Sequence, residues 1–246
     1  MRVNFLLVFI ASFSCATFAN VPGEFSERDI HYQNSFGTCP ARPAGMLAIL
    51  VMKEFERTRS LMAVKEKFLS EKWEEKFFLS KYNINYNPIS KRIRLSFECP
   101  EPLVRVQVYK DNGREHDSAI LVDNGKLFDP SYEVVMKAEK RLKADLPSLA
   151  IPVQLLEGEV HENFTRFARH LDPVMRSKIA EILINDNSEL TLIFSMGGRA
   201  TSVFLGSELW ETKLEKLAKI ISYVEETGKY PSTINLTNVK KVVVKF

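Results

Sequence analysis

The sequence predicts an α+β protein: a small helix-and-hairpin module, then a mixed, β-rich domain with two helices that ends in an edge strand. Three observations carry this. Apolar residues keep helical spacing in three separate stretches: 55–73, 164–171 and 210–224. Short β-branched runs are separated by turn dipeptides such as Asn87-Pro88, Asn124-Gly125 and Gly197-Gly198. The last thirteen residues, INLTNVKKVVVKF, alternate in character. Val242, Val244 and Phe246 fall on one face and Lys241, Val243 and Lys245 on the other.

Residues 1–19 open with Arg2 and an apolar run over 5–19 that closes on small side chains before Asn20, the pattern of a secretory signal peptide. As a helix this run reaches about 22 Å, short of a bilayer core of roughly 30 Å, so a retained anchor is the alternative reading. Cys15 lacks a good lipoprotein context. Residues 20–45 are polar and rich in Pro and Gly, and are expected to form an irregular linker before a module over 46–110 and a β domain over 111–246.

Within the module, 46–52 is either a strand or a helix start, and 54–75 is expected to be one amphipathic helix whose aromatic stripe is core. Strands over 77–86 and 91–99 follow as a hairpin, which needs the helix to bury its apolar face. A strand is expected over 104–109 and a turn at Asp111-Asn112-Gly113; strands at 119–122 and 126–128 flank a type I′ turn at Asn124-Gly125. Residues 132–143 are either a short helix or a charged connection. Pro152 makes 149–155 look like a sheet edge.

A helix from about Val160 is ended, kinked or restarted at Asp172-Pro173, and strands are expected over 179–184, 190–195 and 200–205. Ser207 is placed to cap a helix from Trp210 that Gly228 and Pro231 stop. A strand over 234–246 closes the chain. No sequence element follows to cover its free side, so its lysines either guard an edge or leave it open for a partner.

Composition narrows the function. Apolar residues make up 45% and charged residues 26%, with a dispersed net charge of +3, so no nucleic-acid partner is implied. His161 and His170 are out of helical phase, and no zinc-protease spacing occurs. Removal of the leader leaves Cys39 and Cys99, either a bridge in an oxidising compartment or two buried thiols. A Cys39-dependent secreted hydrolase is the rival reading, although Gly37-Thr38-Cys39-Pro40 is no recognised nucleophile context. No cofactor, metal site or catalytic residue emerges, and the chain reads as a non-enzymatic interaction protein.

The order of elements resembles the FtsQ/DivIB family of bacterial cell-division proteins, which carry a POTRA module and a β domain. The resemblance covers about residues 50–246. IRLSFECPEPLV at 93–104 is similar to the family's strand running into a Glu-x-x-Pro corner, with Glu98 or Glu101 and Pro102 there. AILVDNGKLF at 119–128 is similar to its Asp-Gly strand pair, and 190–206, 210–224 and 234–246 match its closing order. The resemblance implies a periplasmic, septal scaffold that binds small coiled-coil division proteins of the FtsB/DivIC and FtsL types. One of them adds a strand along the C-terminal strand. The partner-binding positions it implies are Asn238, Lys240, Lys245 and Phe246, with Phe246 as aromatic anchor, and Val242 and Val244 of the same strand are expected to join them. Asn238 stands where the family has tyrosine, and Thr237 where it has an arginine that pairs with the partner. The family's cytoplasmic tail is missing, so membrane contact would come only through a partner or a retained leader. POTRA modules also occur in outer-membrane assembly and secretion factors, a third possibility weakened by the lack of a following barrel.

Overall fold

A computed structural model describes residues 30–109, 116–142, 144–156 and 158–246. The expected leader and the turn at 111–113 lie outside the described residues. The chain is α+β, with a three-stranded and a nine-stranded sheet and seven α-helices among the described residues. This arrangement is consistent with a POTRA-like module followed by a β domain.

In the first unit, β1 (His31–Ser35) lies parallel to β3 (Arg92–Glu98), which is antiparallel to β2 (Lys81–Asn87). Three helices cover one face: α1 (Ala41–Thr58), α2 (Leu61–Ser70) and α3 (Trp73–Lys76). Leu47, Val51, Phe55, Val64, Phe68 and Trp73 bury against Ile84, Ile93, Leu95 and Phe97. Ile93, Leu95 and Phe97 alternate with exposed residues along β3, so the strand presents one apolar face.

The sequence readings of this unit need three corrections, and one open alternative, strand or helix at 46–52, is decided. The stretch read as irregular linker contains β1 and the start of α1, because Pro43 and Gly45 fall in or beside the first turn, where an interior N–H is not yet needed. The 46–52 run is helical. The single helix expected over 54–75 is three. Arg59 takes a left-handed φ of 53° at the end of α1, and Ser60 accepts from the Ala63 N–H to begin α2. Residues 77–80 precede the strand rather than belonging to it.

The second sheet runs β12-β11-β10-β9-β8-β7-β4-β5-β6. Its strands are β4 (Pro102–Tyr109), β5 (His116–Val122), β6 (Leu127–Phe128), β7 (Ser148–Pro152), β8 (Ile179–Ile184), β9 (Leu190–Met196), β10 (Arg199–Gly206), β11 (Thr233–Asn235) and β12 (Val243–Lys245). The first strand of this sheet is β4, so the change of sheet falls between Glu98 and Pro102, not at residue 110. Strand β7 is interior, parallel to both β4 and β8; Pro152 is tolerated because it ends the strand.

Helices α5 (Glu159–His170), α6 (Pro173–Lys178) and α7 (Trp210–Thr227) accompany the sheet, and Phe164, Phe167, Trp210, Leu214, Leu217 and Ile221 share its main core. Asp172 caps α6 by accepting from the Val174 and Met175 N–H groups, so the Asp-Pro pair restarts the helix. Leu209, with φ 54°, precedes α7 without a side-chain cap, so Ser207 does not take that role.

Residues 132–143 divide between the end of α4 (Ser131–Ala138) and a connection. The loop at 123–125 has only Gly125 at positive φ, and Gly125 N–H donates to Val122 C=O. It is a three-residue loop closed by a left-handed glycine rather than a two-residue type I′ turn. The β9–β10 turn does place both Gly197 (φ 56°) and Gly198 (φ 76°) in the left-handed region, and a Cβ on Gly197 would meet the Tyr230 ring at 2.4 Å.

Candidate protein-docking edge

The terminal strand expected over 234–246 is a hairpin arm. β11 is parallel to β10, and β12 folds back antiparallel on β11, pairing Thr233 with Lys245, Ile234 with Val244 and Asn235 with Val243. Two asparagines interrupt the strand. Asn235 Oδ1 accepts from the Thr237 N–H at 3.0 Å, and Asn238 Oδ1 accepts from the Lys240 N–H at 2.8 Å. Each offers its own backbone a local partner in place of a ladder bond.

The hairpin is fixed from several sides. Thr201 Oγ1 donates to Pro231 C=O at 2.6 Å, Ser232 N–H donates to Lys245 C=O at 2.8 Å, and Lys216 Nζ on α7 donates to Val239 C=O. Lys213, also on α7, is buried and donates to Leu205 C=O at 2.6 Å, steadying the end of β10. Burial lowers its pKa from the usual lysine value, and Glu208 opposes that shift. None of these side-chain anchors leaves a local sequence pattern, whereas the two turn-forming asparagines do.

The main-chain direction of β12 follows from these bonds. Ser202 N–H donates to Ser232 C=O, and Leu236 N–H donates to Phe204 C=O, so Ile234 between them turns its backbone groups toward β10. Thr233 and Asn235 therefore face β12 and meet Lys245 and Val243. Val244 is left with its N–H and C=O pointing away from the sheet, on a strand with no neighbour beyond it among the described residues.

Side chains divide by face. Val244 shares a cross-strand row with Ile234 and Val203 and packs against the main core. Val243 lies in the row of Asn235 and Phe204 on the opposite face; Val243 is 40% and Phe204 39% exposed. Phe246 stands in solvent at 74% exposure. Lys240, Lys241 and Lys245 are exposed around it, the charge pattern that keeps an edge from pairing with copies of itself.

Of the six expected partner-binding residues, Val242, Val244, Lys245 and Phe246 lie on or beside the edge strand. Asn238 and Lys240 lie in the turn before it, with Asn238 already engaged in that turn.

Elsewhere, chemistry is sparse. Cys39 and Cys99 are joined by a disulfide, so Cys39 offers no thiolate and the hydrolase reading fails. His161 Nε2 lies 2.8 Å from Gly125 C=O, tying α5 to the 123–125 loop. No cluster of three or more metal-ligating side chains occurs among the described residues, and none of their helices is long and apolar enough to cross a membrane.

No curated protein matches the chain. The family model described as "Cell division protein FtsQ/DivIB, C-terminal" matches residues 110–237, more than half of the sequence, ending just before β12. The matched region takes in the second sheet from β5 through β11 and all four helices packed with it, and the chain belongs to the FtsQ/DivIB family of non-catalytic cell-division proteins, which act in protein complexes.

Proposed function

We propose that this chain is a periplasmic scaffold of the bacterial division complex. It captures a coiled-coil division protein of the FtsB/DivIC type, itself paired with an FtsL-type protein, by adding a strand of that partner to β12. The observation that carries this is the outward-facing N–H and C=O of Val244 on the last strand of the nine-stranded sheet. An extended segment laid beside β12 completes those backbone bonds, while Val243 and Phe246 supply apolar contact and Lys245 sets register. The solvent-standing ring of Phe246 is the anchor in this reading, because a large exposed aromatic gains most from being covered.

The lysines at 240, 241 and 245 give the edge a positive border that disfavours edge-to-edge association and leaves it available to another chain. Export is part of the reading: it brings the scaffold to the compartment of its partner and suits the oxidised Cys39–Cys99 pair.

The test removes residues 242–246 and measures capture of the purified FtsB/DivIC-type protein from the same organism. Loss of capture, with hydrogen exchange in the first unit unchanged, is the expected result. Undiminished capture by the truncated chain removes the docking role from β12.

A further inference from the structure

The junction between the two sheets is held by a set of contacts that converge on residues 37–42. Helix α1 has no N-terminal cap of its own: Pro40 provides no side-chain bond, and the first turn carries no acidic residue. Its first two N–H groups instead donate to a carboxylate of the second unit. Ala41 reaches Glu139 Oε2 at 2.6 Å and Arg42 reaches Oε1 at 3.0 Å. Glu139 is the residue at the C-terminal end of α4, so a helix of one unit is closed by a side chain of the other. Arg141 adds a second hold, donating to Thr38 C=O at 2.7 Å.

The same segment is tied to the first unit by Cys39–Cys99. Thr38 Oγ1 brackets Cys99, accepting from its N–H at 2.9 Å and donating to its C=O at 2.5 Å. Gly37 fits only as glycine, since its φ is 49° and a Cβ would lie 2.8 Å from Phe97 C=O. Cys99 occupies the three-residue connection between β3 and β4, through which the chain passes from one sheet to the other. A cleft lined by Gly37, Thr38, Glu98, Cys99, Glu101 and Arg176 opens beside it, with Cys39 and Cys99 themselves 1% and 4% exposed.

We propose that Cys39–Cys99 is a redox latch. In the oxidised state it holds residues 38–40 where α1 can dock on Glu139, one of the contacts that join the two units. A dithiol, as a small molecule or in an oxidoreductase, opens it. One dithiol thiolate attacks a sulfur of the bridge, the S–S bond breaks, and a mixed disulfide forms. The second thiolate of the dithiol then displaces the protein sulfur. Two electrons pass to the protein pair, two protons end on Cys39 and Cys99, and the dithiol leaves as a disulfide. With the bridge open, residues 38–42 lose their covalent anchor and the Glu139 cap is released.

The test is residue-resolved amide exchange of the full chain, oxidised and in dithiothreitol. The latch predicts that Ala41 and Arg42 exchange at least tenfold faster after reduction while β9 and β10 keep their protection. Equal rates at Ala41 and Arg42 overturn it. So does a uniform loss of protection through both units, which would make the bridge a general stabiliser. Glu139→Ala in the oxidised chain is the second arm: it should bring Ala41 and Arg42 to the reduced-state rate with the disulfide intact. Unchanged protection in that variant overturns the latch as well.

Discussion

The two ends of the nine-stranded sheet are treated in opposite ways. At the β6 end, the first unit closes the structure. Phe78 stands beside Phe128 and Tyr132 with ring centroids 5.7 and 4.6 Å away, Tyr132 donates its hydroxyl to Pro100 C=O at 2.6 Å, and α4 covers Ile120 and Val122. Arg105 and Lys137 close on the buried carboxylate of Glu133. At the β12 end, a three-residue strand is flanked by exposed lysines and a solvent-facing phenylalanine, with nothing packed beyond it among the described residues. Both end strands are short, yet one end is spent on joining the chain to itself and the other is kept polar and accessible. A buried end contributes stability; an open end contributes only once something binds. Substitutions at the two ends should therefore separate stability from partner capture.

The largest stability effect belongs to the closed end. Phe78→Ala removes a buried ring from the cluster with Phe128 and Tyr132, a change of a kind that costs about 3 kcal/mol or more. A urea titration of the full chain should show the loss in the midpoint. A cost below about 1 kcal/mol would mean that the first unit merely rests against the sheet.

Acid sharpens the same contrast. Burial of Glu133 opposes its ionisation, but hydrogen bonds from Arg105 and Lys137 outweigh this and hold its carboxyl below the usual value of 4.5. Glu139 is also held low, burial opposing and the Arg42 and Ala41 N–H groups prevailing. A folded-state pKa below the unfolded one gives stability that is full above the ordinary glutamate range and is lost as pH falls through the folded value. Thermal midpoints should therefore drop below about pH 4.5. Glu133→Gln should lower the midpoint at pH 7, by about 2 kcal/mol in stability since both cations are partly exposed, and flatten this acid dependence. Among the described residues the β12 end carries no such carboxylate pairing, and truncating residues 242–246 should leave the acid slope as it was.

Val244→Pro probes the open end through the backbone. Proline deletes the outward N–H, which has no use within the fold, so the expected cost in stability is under about 1 kcal/mol. Capture of the FtsB/DivIC-type partner should weaken at least tenfold. Unweakened capture would place the contact on side chains rather than on the ladder.

How much of this contrast could be read from sequence differs by element. Strands β8, β9 and β10 and helix α7 were legible because each carries its own periodicity, with apolar residues meeting one core. The break at Arg59–Ser60 was hidden because Phe55, Leu61, Phe68 and Trp73 keep helical spacing across it. The start of α1 was hidden for the reverse reason: Pro43 and Gly45 look like loop but sit where the first turn tolerates them. At the open end, Val242, Val244, Lys245 and Phe246 were placed near the edge, but Asn235 and Asn238 carried a turn signal that the alternation of neighbouring residues obscured. The closed end was least legible. Phe78 reaching Tyr132, and Glu139 reaching Ala41 and Arg42, are contacts between residues far apart in the chain, and no local pattern encodes them.

The smallest stability effect is expected at Phe246. With three quarters of its surface in solvent, Phe246→Ala should leave the urea midpoint within about 0.5 kcal/mol of the parent. An anchor ring covered by a partner contributes far more than an exposed ring does to the fold, about 2 kcal/mol at a typical hot spot. Capture should therefore fall roughly thirtyfold while unfolding is unmoved. Calorimetric titration and denaturation on the same preparation measure both. If stability fell and capture held, the ring would belong to the core and the two ends of the sheet would not differ in the way their packing indicates. If neither moved, strand addition would rest on the backbone of Val244 alone, and Val244→Pro would have to account for the entire loss of binding.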